Sequence, residues 1–302
     1  MHALAEYHRP GLVVERPAGT RRGQLRIFLE RLWAADPVLT GTGLFLTALL
    51  AASVVGIMVD SREITGAPAW LKPAKFAAST AVYSLTLAWI FTYLPGWTRT
   101  RRLVGRATAL IFLIELAIID WQAWRGTTSH FNIGTPLDAT LFAVMGTAIV
   151  LQTLGSVAVA VALWRQHFAD QALGWALRLG LVITIIGAST GGLMTRPTGE
   201  QLAKARATGR LAIAGAHTVG GPDGGPGLPV TGWSTQHGDL RVPHFVGLHA
   251  TQLLPIVPLV LLRRRDEVAR VRLTLAAAGG YAIAFVALLL QALWGLPLAS
   301  IG

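Results

Sequence analysis

Seven long apolar stretches, separated by short clusters of arginine, constrain this sequence more than any other feature. A helix that crosses a bilayer needs about 20 predominantly apolar residues. The strands of an outer-membrane barrel would instead alternate apolar and polar side chains. We therefore predict an all-α integral membrane protein, a seven-helix transmembrane bundle. Its spans are predicted at about 38–59, 74–95, 103–124, 137–164, 173–194, 244–262 and 273–297.

The composition excludes several other classes of protein. Of the 302 residues, 53% are hydrophobic and only 14% are charged, whereas a soluble domain carries about a quarter charged residues. The low charged fraction excludes a soluble enzyme, a disordered chain and a nucleic-acid-binding domain. The lipid bilayer is therefore an expected partner of the chain. Cysteine is absent, which excludes disulfides, thiolate zinc sites and iron–sulfur clusters.

The arginine distribution predicts the orientation. With the N-terminus in the cytoplasm, the inner segments hold 17 of the 26 basic residues, as the positive-inside rule requires. The C-terminus is then outside, and the long loop 195–243 between helices five and six faces outward. Most of the unusual polar residues fall on that outer side. We expect a bacterial cytoplasmic membrane with the functional face outward.

The chain divides into two regions. An arm over residues 1–36 precedes a single transmembrane domain over residues 37–302. The arm shows no cleavable signal sequence, so the first apolar stretch is expected to act as both signal and anchor. Residues Gly23 to Ala35 place apolar side chains at helical spacing. They predict a short helix that either lies in the membrane interface or docks on the bundle.

Three charged residues near the membrane are candidate catalytic groups. Lys72 and Lys75 lie three residues apart at the start of a span, where two cations oppose the helix dipole and suggest an anionic partner. The alternative is that both snorkel to the headgroups. Glu115 lies near the middle of the third span, where a carboxylate is costly and is a candidate functional group. Its alternative role is a structural hydrogen bond.

Histidines predict a metal or haem site on the outer side. Neutral imidazole binds haem iron, copper and zinc. His244 and His249 are five residues apart, so they do not share one helix face. The candidate metal ligands are His130, His217, His244 and His249. Each of them has an alternative role as a packed or solvated side chain.

Further candidates complete the predicted site. Gln252 lies three residues after His249, and with Arg125, His244 and His249 it is predicted to bind a cofactor. Asp239 joins Lys72, Lys75 and Glu115 as a candidate catalytic residue. The turn-rich segment from Gly215 to Gln252 surrounds most of these positions, and such a loop can fold back as a lid.

Three functions are compatible with these patterns. The first is a membrane-embedded redox or metal-dependent enzyme with a histidine and carboxylate site at the outer face, using haem, copper, iron or zinc on a small-molecule or lipid substrate. The second is a proton-coupled transporter or carrier, with Lys72, Lys75 and Glu115 in the substrate path. The third is a noncatalytic scaffold or assembly factor, in which the buried polar groups hold helices together.

Overall fold

The computed structural model describes residues 21–261 and 265–300. The chain is mostly helical, at 70%. The helices are α1 (Arg21–Ala35), α2 (Pro37–Val59), α3 (Leu71–Phe91), α4 (Thr98–Trp124), α5 (Pro136–Arg165), α6 (Gln171–Ser189), α7 (Gly191–Met194), α8 (Gly199–Thr208), α9 (Arg241–Leu248), α10 (Ala250–Leu253) and α11 (Glu267–Leu293). Two small antiparallel pairs join β1 (Glu63–Ile64) to β2 (Ala67–Pro68) and β3 (Thr218–Val219) to β4 (Gly238–Asp239).

Within the described residues, five helical segments are long and apolar enough to cross a membrane, which indicates an all-α membrane protein. They are Pro37–Val59, Leu71–Phe91, Pro136–Arg165, Gln171–Thr208 and Glu267–Leu293. The third predicted span is the continuous helix α4, which carries Glu115 and is not among the five. The seven-span topology therefore stays a prediction. Four arginines behind the predicted orientation, Arg9, Arg16, Arg263 and Arg264, lie outside the described residues.

The sixth predicted span is broken. In place of one helix the chain forms α9, α10 and a π-helical turn at Val257–Leu261. Pro255 and Pro258 lie in this segment, and each lacks the backbone N–H that a continuous helix needs. The segment also begins earlier than expected, since α9 starts at Arg241 and the predicted span starts at 244.

Helix starts follow from short capping motifs. Asp36 accepts a hydrogen bond of 2.9 Å from the backbone N–H of Leu39, and Pro37 follows it at the first position of α2. Thr135 caps α5 in the same way, with Pro136 after it. A polar cap satisfies a free N–H group, and proline is favoured at the first helical position.

The arm helix α1 docks on the bundle through one side. Leu32 is fully buried in a cluster with Leu39 and Leu94, at the ends of α2 and α3. Phe28 and Trp33 remain about half exposed, at 44% and 52%. The structure thus shows docking of one face of α1 on the bundle, and a position in the membrane interface stays a prediction.

Loops predicted to share a side of the membrane contact one another. At one end, Arg270 forms a 2.5 Å ion pair with Asp170, which joins the loops before α6 and α11. At the opposite end, Arg62 donates a 2.9 Å hydrogen bond to the carbonyl oxygen of Trp124. Both contacts join segments that the sequence predicts on the same side, and the topology and the orientation in the membrane remain predictions.

Candidate functional site

A folded cap covers one end of the bundle. We define the cap as residues 125–135 together with residues 195–240. Its two segments pair through the backbone, because Ile133 donates to the carbonyl of Ala212 and Ala214 donates to that of Phe131, both at 2.9 Å. The predicted loop 195–243 is therefore not structureless, since it contains α8, β3 and β4. Backbone groups that would otherwise be buried unpaired are satisfied this way.

Five polar side chains converge beneath the cap. We call them the polar cluster: Lys72, Glu115, His130, His217 and His244. They come from α3, α4, the two cap segments and α9. Electrostatic interactions link Lys72 to Glu115, to His130 and to His217, and link His217 to His244. The sequence places these residues up to 172 positions apart, and the cap brings them together.

Aromatic rings line the cluster and fix its spacing. Nζ of Lys72 lies 5.9 Å from the ring centroid of Phe76, and that ring lies 5.4 Å from the imidazole of His130. On the other side, the ring of Phe131 lies 4.9 Å from that of His217. Apolar walls of this kind exclude water and strengthen electrostatic interactions between the groups they enclose.

Glu115 is the acid of the polar cluster, and it is deeply buried. Glu115 is only 1% exposed. Among the described residues, neither of its carboxylate oxygens has a hydrogen-bond partner. Burying an isolated carboxylate costs several kcal/mol, so such a group is generally protonated, paired or ligand-bound. Lys72 is the cation that interacts electrostatically with Glu115.

Two histidines of the cluster have their ring orientation fixed by oxygen acceptors. Nδ1 of His217 lies 2.9 Å from Oδ2 of Asp223, and Nδ1 of His244 lies 2.9 Å from the carbonyl oxygen of Gly187. A carboxylate or carbonyl only accepts hydrogen bonds, so each Nδ1 carries the proton. In both neutral rings the Nε2 lone pair is left for another partner, the arrangement typical of metal-bound histidine.

Burial favours the neutral form of the cap histidines. It lowers the pKa of His130 well below its ordinary value of 6.5, and the charges of Lys72, His217 and His244 lower it further. Burial also lowers the pKa of His217, although the hydrogen bond to Asp223 opposes that shift. A low pKa makes these imidazoles unprotonated near pH 7, the form that binds metals.

His249 and Gln252 lie beside each other in the broken sixth segment. The ring of His249 lies 4.2 Å from that of Phe245, and the backbone N–H of Gln252 donates to the carbonyl of His249 at 3.1 Å. Gln252 also lines a small pocket with Tyr83 and Leu181 in the bundle. The structure thus groups His130, His217 and His244 and places His249 in separate contacts.

The remaining candidates bind groups of the protein itself. Asp239 is 2% exposed and forms a 2.6 Å ion pair with Arg241. Arg125 forms a 2.7 Å ion pair with Asp138 near the start of α5. Lys75 donates a hydrogen bond to the cap. These contacts give the three predicted residues a role in fastening the cap to the helices.

The histidines do not form a closed zinc-like centre. In residues 21–261 and 265–300, no group of three or more His, Asp or Glu side chains has the spacing that holds one ion. A structural zinc site needs four such ligands.

Asp223 contacts a histidine of the polar cluster, and sequence reasoning did not single it out. The sequence shows it six residues after His217, inside a run of glycine and proline, which we interpreted as turns of a loop that can fold back as a lid. Aspartate in such a turn commonly bonds nearby backbone N–H groups. The position relative to a histidine was the signal that could have revealed it.

The chain matches no family model, and the comparisons found no significant similarity to a curated protein or to a solved structure. The function therefore has to be argued from the polar cluster itself.

Proposed function

We propose that the chain is a membrane-embedded redox or metal-dependent enzyme whose site is the polar cluster beneath the cap. His217 and His244 are its ligands to a transition metal, copper, iron or zinc, or to haem. The cap faces the outer side of a bacterial cytoplasmic membrane, as the arginine distribution predicts. The substrate is a small molecule or a lipid that reaches the cluster from the cap side or from the bilayer.

One observation carries this proposal. Two partly buried imidazoles each have Nδ1 held by an oxygen acceptor, and within the described residues their Nε2 atoms accept no hydrogen bond from the protein. Nδ1 bonded to a carboxylate or backbone carbonyl is the usual outer contact of a metal-ligating histidine.

The other cluster residues suit a reaction at such a centre. A bound transition metal would polarise a substrate or exchange electrons with it. Glu115 has two free acceptor atoms and can hold or release a proton. Lys72 supplies a positive charge that orients an anionic or carbonyl group. Phe76 and Phe131 keep bulk water away from these groups.

Elemental analysis and an absorption spectrum of the detergent-purified protein test the proposal. We expect a stoichiometric transition metal or the Soret band of haem. His217→Ala and His244→Ala should each lose most of it, while the size-exclusion profile stays that of the folded protein. His167→Ala is the matched control, because His167 is exposed in the loop between α5 and α6. Protein that folds and binds neither a metal nor haem contradicts the proposal.

A proton-coupled carrier is the second candidate, favoured by Glu115 and Lys72. A buried acid without a partner, next to a cation, is typical of proton relays in membranes. The carrier predicts pH-driven uptake in proteoliposomes that Glu115→Gln abolishes and that chelators leave unchanged. If the histidine variants and Glu115→Gln leave metal content and uptake unchanged, the scaffold is the remaining function. The polar cluster would then only hold helices together.

A further inference from the structure

The carboxylate of Asp223 is held by a dense set of hydrogen bonds in the cap. It accepts from the backbone N–H of His217 at 3.0 Å and from that of Thr218 at 2.8 Å. The hydroxyl of Thr218 also donates to Oδ1. Nδ1 of the His217 ring contacts Oδ2 at 2.9 Å. One side chain therefore fixes both the backbone and the imidazole of the same residue.

The loop around Asp223 is shaped to deliver its carboxylate. Gly220 and Gly224 have φ angles of +89° and +90°, which other residues rarely adopt. These turns bring the carboxylate back over β3, where His217 precedes the strand. There the carboxylate accepts the hydrogen bonds from the backbone of His217 and Thr218 and from the hydroxyl of Thr218.

The ring contact goes beyond what the turn requires. An aspartate that only closes a turn needs the backbone N–H groups, and Oδ1 with Oδ2 already receives them here. The additional bond to Nδ1 selects one tautomer and one ring orientation of His217. The ring then packs against Phe131, with centroids 4.9 Å apart, so its position is set on both sides.

We infer that Asp223 is a positioning residue, which holds His217 as the Nδ1–H tautomer so that Nε2 is presented to a metal or haem iron in the polar cluster. The inference rests on the proposed function for the identity of the ligand. A carboxylate behind a ligating imidazole orients the ring and raises its basicity, and its removal typically weakens metal binding about 10- to 100-fold.

Nitrogen NMR of the full-length, metal-free protein in detergent tests the tautomer directly. Histidine labelled with ¹⁵N should show His217 as Nδ1–H in the natural chain and a mixture of tautomers in Asp223→Ala. Asp223→Glu should restore the Nδ1–H form. Thr218→Val is the matched control, because it removes one hydrogen bond of the carboxylate without touching the ring.

Titration with Co²⁺, followed by absorption, provides the second measurement. We expect Asp223→Ala to weaken binding about 10- to 100-fold, with recovery in Asp223→Glu and little change in Thr218→Val. An unaltered tautomer in Asp223→Ala, or an equal loss in Thr218→Val, overturns the inference. If the natural chain binds no Co²⁺ but the tautomer changes as expected, the ligand assignment fails and the positioning role of Asp223 stands.

Discussion

Nζ of Lys75 donates a 2.9 Å hydrogen bond to the carbonyl oxygen of Thr231, 156 residues further along the chain. Lys75 lies in the first turns of α3, and Thr231 lies at a turn of the cap. Two further contacts close the same region, because Arg241 donates at 2.6 Å to the carbonyl of Gly232 and pairs with Asp239. Cationic side chains thus fasten the cap over the polar cluster.

Lys75→Met should loosen the cap without unfolding the bundle. Methionine keeps most of the apolar stem and removes the ammonium, so one charge-assisted hydrogen bond of about 1.5–3 kcal/mol is lost. Hydrogen exchange of residues 228–235, followed by mass spectrometry, should accelerate about tenfold or more. Lys204→Met on the exposed face of α8 is the control and should change nothing there. Equal protection in both variants would count against a fastening role for Lys75.

Gly187→Ala should destabilise the contact between α6 and α9. A Cβ atom at Gly187 would lie 2.5 Å from Cα of Gly247, which is backbone and cannot rotate away. Overpacking of this kind costs about 1–3 kcal/mol or more, and thermal unfolding in detergent measures it. Gly146→Ala in α5 is the control, since nothing lies within 4 Å of its added Cβ. That variant should be neutral or slightly more stable.

Glu115→Gln should leave folding largely intact and abolish turnover or transport. The neutral amide avoids the cost of burying a charge, but it can no longer exchange a proton. Expression level and size-exclusion profile report folding, and any activity found for the natural chain reports function. Glu200→Gln, at an exposed position in α8, serves as the control. Poor expression with unchanged activity per folded molecule would show that the acid is structural.

Stability should fall as the pH drops below about 6.5. Burial lowers the pKa of His130 in the folded protein, so the unfolded chain takes up a proton in this range that the folded chain does not. One such histidine contributes at most about 1.4 kcal/mol per pH unit, and nothing above the unfolded pKa. His130→Gln should flatten the profile of unfolding temperature against pH, and His167→Gln should not. A stability that rises on acidification would contradict the sign.

Single cysteines test the orientation, because the chain has none of its own. Gly225→Cys in the cap should react with an impermeant thiol reagent added to intact cells from outside. Thr100→Cys, at the start of α4, should react only after the membrane is opened. Both positions lie in the described structure. A Cβ atom added at Gly225 would have its nearest neighbour 3.8 Å away, so the side chain of a cysteine fits there. The reverse pattern would place the cap in the cytoplasm.

The helical architecture was largely predictable, because its signals are local. Runs of about 20 apolar residues mark a helix wherever they occur, and Asp36 and Thr135 mark starts through their own side chains. The break in the sixth segment was not predicted, although Pro255 and Pro258 signal it. The apolar character of that stretch predicts one span, whereas its missing backbone donors interrupt the helix.

The polar cluster was predictable only in its residue types. Histidine, lysine and glutamate could be named as candidates, yet spacing along the chain does not determine which of them meet. The pairing of Ile133 with Ala212 brings His130 and His217 to the same place, and no local pattern shows that pairing. His249 lies only five residues after His244 in the sequence, yet its ring packs against Phe245 and it is not part of the polar cluster.

The pairing between the two cap segments also sets an order of assembly. Residues 131–133 emerge from the ribosome long before residues 212–214, and α5 and α6 must be inserted between these events. Because a contact of such sequence separation forms only after the intervening chain is in place, the polar cluster is completed late in biogenesis. A half-made chain therefore holds Lys72, Glu115 and His130 without His217 and His244, and in the proposed enzyme a metal or haem would be loaded only after α9 has joined the bundle.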